Sequence, residues 1–163
     1  MSERIAVCPG SFDPVTLGHL DIFRRTANIF DRVIVLVMQN AQKRPLFTPE
    51  QRRDIILASL NGAPGISVVC SSGICADAAR ELGACAIVKG VRSSADFDYE
   101  TDIASVNRGL GAPETVFIPS NPIYRHVSTS TALHLYRLGT DVTSYFPSAA
   151  IDALNRLESV SSR

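Results

Sequence analysis

The chain has 163 residues, 45% of them hydrophobic, which suits a single domain over residues 1–163 with a packed core. Sixteen basic side chains balance sixteen acidic ones, so no overall charge marks the chain for nucleic acid or an anionic membrane, and a phosphate ligand must be met locally. Cys8, Cys70, Cys75 and Cys85 form no C-x-x-C pair and no zinc-spaced cluster, the opening Met-Ser-Glu-Arg carries no secretory pattern, and no apolar run approaches a membrane span; the expectation is a cytoplasmic protein with reduced, mostly buried thiols.

An apolar run at residues 5–8 predicts a first strand that ends at Pro9-Gly10. Leu20, Phe23, Ala27 and Phe30 then recur at the 3.6-residue spacing of an amphipathic helix, whose first turn holds His19. Further strand-like runs lie at residues 33–38, 66–70, 86–89 and 115–118. The second helix opens on Thr48-Pro49-Glu50-Gln51: Thr48 caps, Pro49 suits the first helical position and Gln51 completes a capping box. The third places Cys75, Ala78, Ala79 and Leu82 on one face and stops at Gly83. The fourth, from about residue 95, is expected to bury Tyr99, Ile103, Val106 and Leu110. Ser128 caps a fifth helix that runs to Leu138, with Gly139 as its left-handed stop. A last helix follows Pro147 with Ile151, Leu154 and Leu157 inward, and its serine-rich end is expected to fray.

Continuously apolar strands alternating with helices predict an α/β, Rossmann-like doubly wound sheet of five parallel strands with helices on both faces. Ligands of such sheets bind beyond the carboxyl ends of the strands, where strand order reverses. The chemically distinctive residues of this chain all fall there: the stretch from Pro9 to His19 after the first strand, Gln42-Lys43-Arg44-Pro45 after the second, residues 71–75 after the third, Lys89-Gly90-Val91-Arg92 after the fourth and residues 119–130 after the fifth.

The first of these, Pro9-Gly10-Ser11-Phe12-Asp13-Pro14-Val15-Thr16-Leu17-Gly18-His19, sets an imidazole where unpaired N–H groups and the positive end of a helix dipole gather, a place suited to a polyphosphate. A histidine at a helix start can also be a plain packed side chain, but packing alone would not require Gly10, Gly18 and a hydroxyl together. In the fourth connection Gly90 permits close backbone approach and Arg92 offers a planar fork for phosphate oxygens. Lys89 leaves a buried run and needs an anion or water for its ammonium. Of the acids that follow, Asp96 and Asp98 are accounted for by the helix dipole, whereas Glu100 lies deeper and is expected to orient a basic residue or a ribose. Val127-Ser128-Thr129-Ser130 supplies hydroxyls and N–H groups for phosphate, with ordinary capping as the competing reading of Ser128.

The opening stretch resembles the (G/P)-G-(S/T)-F-D-P-x-(T/H)-x-G-H signature of the nucleotidylyltransferase superfamily, and the serine cluster resembles its second part. Over nearly the whole chain the ordered motifs P-G-(S/T)-F-D-P-x-T-x-G-H, K-x-P-x-F-T and (K/R)-G-(V/L)-R-x-x-x-D-F-x-Y-E are similar to those of the bacterial phosphopantetheine adenylyltransferases. The resemblance implies transfer of AMP from ATP to 4′-phosphopantetheine, giving dephospho-coenzyme A and pyrophosphate, with Mg2+ on the nucleotide, no metal site on the protein and a homohexameric assembly. It implies that His19 stabilises the transition state with Lys43 and Arg92, and that Ser11, Lys43, Cys75 and Lys89 bind the acceptor. It further implies that Ser11, Phe12, His19, Gly90, Val91, Arg92, Glu100, Tyr124, Arg125, His126, Val127, Ser128, Thr129 and Ser130 bind ATP.

Three positions depart from that pattern: Lys89 stands where arginine is common, Thr129 replaces a serine, and Leu133 occupies a place where a basic residue often follows, a role His134 is not assigned. A transferase acting on nicotinamide mononucleotide, or using CTP on a small alcohol phosphate, is the nearest alternative, but such enzymes usually carry histidine where this chain has Thr16. A nucleotide-sensing module without turnover is the alternative from another class, and it has no need of basic residues from three loops. The sequence leaves open the protonation of His19 and any feedback binding of coenzyme A.

Overall fold

The computed structural model describes residues 3–39 and 44–161. Five strands, β1 (Ile5–Gly10), β2 (Arg32–Met38), β3 (Ile66–Ser71), β4 (Ala86–Val91) and β5 (Glu114–Pro119), form one parallel sheet in the order β3-β2-β1-β4-β5. Each is one or two residues longer than its apolar run, because pairing continues past the run: Gly10 lies opposite Val37 and Val91 opposite Pro119. Strand order reverses between β1 and β4, which pair at Ala6–Ala86 and Val7–Ile87.

Helices α1 (Leu17–Ala27) and α2 (Pro49–Leu60) return the chain over one face, α3 (Cys75–Glu81) and α4 (Ser94–Gly109) over the other. Alternation along the strands divides the core accordingly: Ala6, Cys8, Val33, Val35, Val37 and Val88 pack with Leu20, Phe23 and Ile56, while Val7, Ile34 and Leu36 pack with Ala78. Helix α5 (Thr129–Arg137) contributes Ala132 to the larger cluster, and α6 (Ser148–Ser161) contributes Ala150, Ala153 and Leu154, with Ile151 and Leu157 partly buried against it. Local signals act as read: the Thr48–Gln51 capping box forms, Ser128 caps α5, and Gly83 and Gly139 take positive φ after α3 and α5.

Two expectations are corrected. Along α4 the only buried residue is Asn107, whereas Tyr99, Ile103, Val106 and Leu110 are exposed, Tyr99 by 64% and Val106 by 63%. Helical periodicity establishes that these side chains share a stripe, but it does not say that the stripe faces the sheet. The thiols are all unpaired, yet only Cys8 is buried; Cys75 is half-buried, and Cys70 and Cys85 are exposed. No helix of the described residues is long and apolar enough to cross a membrane.

Candidate active site

The turn from β1 into α1 is built around His19. Thr16, the N-cap of α1, accepts the backbone N–H of His19 at 3.3 Å, and His19 Nδ1 accepts the backbone N–H of Thr16 at 3.1 Å. This is a capping box in which histidine takes the place of the usual glutamate or glutamine. Since Nδ1 accepts an N–H, the neutral ring carries its proton on Nε2. Burial, followed by the charges of Arg92 and Lys89, pushes the His19 pKa down to about 4. At neutral pH a lowered pKa leaves the imidazole of the free protein uncharged and a hydrogen-bond donor through Nε2.

Phe12 holds the other side of the ring. It sits at φ 47°, and its ring meets those of His19 and Phe23 edge-on, with centroids 5.1 and 5.3 Å away. Gly10 makes room for it: a Cβ there would lie 2.6 Å from Phe12 Cζ. Asp13, which has no separate role in the motif reading, accepts the backbone N–H groups of Leu46 at 2.7 Å and Phe47 at 3.0 Å, so it ties this turn to the β2–α2 connection. Ser11 is exposed at the turn.

The second corner lies at the end of β4. Lys89 Nζ pairs with Glu100 Oε1 at 3.1 Å and also donates to the Pro9 carbonyl at 3.5 Å, so Glu100 orients a basic residue and the ammonium stays at the mouth of β1. Asp96 does more than favour the helix dipole: its Oδ2 accepts the Arg92 N–H at 3.1 Å and lies 3.6 Å from Arg92 Nε. Arg92 Nη1 donates to the Val127 carbonyl, and Arg125 Nε donates to the Arg92 carbonyl, which together draw the 120–128 segment onto β4. A Cβ on Gly90 would lie 2.8 Å from Ile22 Cγ1, so this glycine lets α1 approach the strand.

A cleft of about 500 Å³ opens at the point of strand reversal. It is lined by Ser11, Phe12 and His19 from the first turn, Lys89, Gly90, Arg92 and Glu100 from the second, and Tyr124, Val127, Ser128, Thr129 and Ser130 from the fifth connection. The imidazole of His19 and the guanidinium of Arg92 thus share one chamber. Val91, Arg125 and His126 do not line it; His126 instead packs edge-on against Tyr145. Cys75 lines an adjoining cavity of about 350 Å³ with Met38, Ile87, Ile103, Ala104 and the buried Asn107, a residue that carries no motif signal in the sequence. The two chambers share a wall made of Pro9, Gly10, Ser11, Lys89, Tyr99 and Glu100. Lys43 lies outside the described residues.

Residues 7–133 match the cytidylyltransferase-like family model. The chain is 46% identical over 156 residues to a phosphopantetheine adenylyltransferase from Clavibacter michiganensis, covering 93% of this chain and 96% of that one. It is 42% identical over 152 residues to its counterpart from Bifidobacterium longum, covering 92% of each. The chain belongs to the phosphopantetheine adenylyltransferase family. As a member of that family it is a nucleotidyltransferase. Among solved structures it resembles Plasmodium falciparum nicotinic acid mononucleotide adenylyltransferase complexed with NaAD, with a TM-score of 0.74 at 15% identity over 95% of this chain and 96% of that one. A lipopolysaccharide core biosynthesis protein from Thermoplasma volcanium is similar over 74% of this chain and 99% of that one, with a TM-score of 0.55 and 20% identity. At these identities the two likenesses establish the fold. In this family member Leu133 lines a third cavity, of about 430 Å³, with Arg44, Arg52, Ser11, Thr129 and Ser130.

Proposed function

We propose that this chain transfers the adenylyl group of ATP to 4′-phosphopantetheine, releasing pyrophosphate and giving dephospho-coenzyme A. The observation that carries the reading is the wall shared by the two chambers, a polar cleft on one side and a more apolar slot past Cys75 on the other. Two elongated substrates laid in these chambers meet at Ser11 and Lys89, where one ends in a phosphate and the other presents its α-phosphorus.

In the proposed step an oxygen of the acceptor phosphate attacks the α-phosphorus of ATP in line. The new P–O bond forms as the bond between the α-phosphorus and the bridging oxygen to the β-phosphate breaks, and the electron pair leaves with pyrophosphate. An acceptor phosphate is already an anionic nucleophile, so no covalent enzyme intermediate is required. Holding the two reactants in this alignment supplies about 7–11 kcal/mol. His19 donates from Nε2 and Arg92 from its guanidinium to the α-phosphoryl oxygens as charge gathers there, and the first N–H groups of α5 receive the outer phosphates. Lys89, held by Glu100, meets the acceptor on its side of the wall, and Lys43 is assigned to the acceptor phosphate on the strength of the motif alone.

Mg2+ enters this proposal with the nucleotide. Among the described residues no three His, Cys, Asp or Glu side chains cluster, and the cleft carboxylates Asp96 and Glu100 are engaged by Arg92 and Lys89. Phosphate oxygens and water are then the ligands of an ion that neutralises the triphosphate. Coenzyme A carries an adenylate half and a pantetheine half, so it is the natural competitor for both chambers at once. Val106 and Leu110, the part of the exposed α4 stripe that lines neither chamber, with Val116 on β5, support self-association, and a homohexamer is the assembly proposed. The four unpaired thiols accord with a cytoplasmic setting.

The test is pyrophosphate release from ATP with phosphopantetheine, nicotinamide mononucleotide or glycerol phosphate as sole acceptor. Turnover with phosphopantetheine alone is expected. Turnover with either of the others and none with phosphopantetheine refutes the assignment.

A further inference from the structure

Arg52, in the first turn of α2, is only 3% exposed, and among the described residues no carboxylate lies within ion-pairing distance of it. A guanidinium remains charged in any protein, and a buried charge without a counter-ion is costly. Among the described residues it is met by backbone carbonyls: Nη1 donates to Ser11 O at 2.7 Å and to Met38 O at 3.1 Å, and Nε donates to Thr48 O at 3.4 Å. Starting α2 does not call for this choice, since α2 has its own start in the Thr48–Gln51 box; what the guanidinium adds is a donor for the Ser11 and Met38 carbonyls, which an apolar side chain would withdraw.

What the three carbonyls share is their place in the chain. They come from the turn after β1, the last residue of β2 and the cap of α2, so one planar fork fixes three segments that border the active site. The Ser11 carbonyl belongs to the peptide that leads into Phe12, whose φ of 47° is a backbone conformation that side-chain-bearing residues rarely adopt. Phe12 in turn presents its ring edge-on to His19. The contacts therefore run from Arg52 to the Ser11–Phe12 peptide, to the Phe12 ring, and to the imidazole.

We infer that Arg52 is a positioning residue for adenylyl transfer, acting through the Ser11–Phe12 peptide to hold the His19 ring at its station. The inference rests on the reaction proposed above. Its test uses the full-length Arg52→Lys variant, which keeps the charge and loses the planar fork, and Arg52→Gln, which loses the charge, each assayed at a temperature where circular dichroism shows it folded. Two readouts are taken: the split between kcat and the KM for ATP, and the titration of the His19 ring followed by NMR.

The expected result is a fall in kcat of about thirtyfold or more in Arg52→Gln, a smaller fall in Arg52→Lys, and a KM for ATP within threefold of the parent. Alongside it the His19 midpoint moves up from about 4 by a unit or more as the ring loosens into solvent. Folded variants with parental kcat overturn the inference. So does a loss of kcat with an unmoved His19 titration, since Arg52 would then not act through Phe12, and so does failure of both variants to fold, which would make it a structural clamp. Should Arg52→Gln alone fail to fold, Arg52→Lys decides by the same two readouts. If the parent protein shows no turnover with phosphopantetheine, the substrate reading fails on its own, and the His19 titration still reports on Arg52.

Discussion

Replacing His19 by alanine separates what the imidazole does for the fold from what it does for the reaction. At pH 7.5 the substitution removes the hydrogen bond from Thr16 N–H to Nδ1, a net loss of about 1 kcal/mol. The pH dependence runs the other way. The His19 pKa is lowered from 6.5 to about 4 in the folded protein, so between those values the unfolded chain binds more protons, and stability falls as pH falls. From pH 7.5 to 4.5 the parent loses about 2.5 kcal/mol on this account, and the alanine variant, having no ring to protonate, does not. Urea unfolding of both proteins at the two pH values should therefore show the variant about 1 kcal/mol less stable at pH 7.5 and about 1.5 kcal/mol more stable at pH 4.5. A difference between the two proteins that is the same at both pH values would show that the ring titrates normally, and the neutral-donor account of Nε2 would fall with it. In turnover the variant loses one donor to the transition state, about 2.7–4 kcal/mol or a hundredfold to a thousandfold in kcat, with little change in ATP affinity. Near-parental turnover removes His19 from the mechanism.

Three other expectations rest on separate contacts. Gly10→Ala drives a methyl into the Phe12 ring and should cost about 1–3 kcal/mol in unfolding free energy, together with a drop in kcat; unchanged values for both would show that the turn can shift freely. Glu100→Gln keeps an acceptor oxygen for the Lys89 ammonium but removes its counter-charge, so stability should fall by about 0.5–1 kcal/mol, and the KM for the acceptor should change more than that for ATP. A larger change in the KM for ATP would place Lys89 on the nucleotide side instead. Val106→Glu, on the exposed stripe of α4, should leave the fold of each subunit intact and shift the sedimentation coefficient toward that of a single chain; an unshifted coefficient would remove this stripe from the interface.

Much of the site is legible before any coordinates, because its parts are encoded over short distances. A capping box is written within four residues, and the Thr48–Gln51 box formed as its spacing requires. Strand ends and helix starts mark where a doubly wound sheet gathers its ligands, and Ser11, His19, Gly90, Arg92 and Ser128 to Ser130 do converge there. Val91, Arg125 and His126 share the same motifs but do not line the cleft, since neighbours along a strand or turn point in different directions. The local pattern gives Asp13 and Arg52 no separate role, because the contacts that tie distant segments together, Asp13 to the Leu46 and Phe47 N–H groups and Arg52 to the Ser11 and Met38 carbonyls, reach backbone groups 14 to 41 residues away.

The amino-acid order by itself determined the strand and helix succession, the parallel doubly wound sheet, and the edge on which the chemistry collects, because apolar runs, glycines and caps act within a few residues of themselves. Only the tertiary structure decided that α4 turns its apolar stripe outward, since a helical period marks a face without naming what covers it. It also lowered the His19 pKa, a shift that depends on burial and on two cations, Arg92 just after β4 and Lys89 within it, some seventy residues further along the chain. The division of the site into two chambers is of the same kind: a wall made of residues from β1, β4 and α4 exists only after those elements have packed.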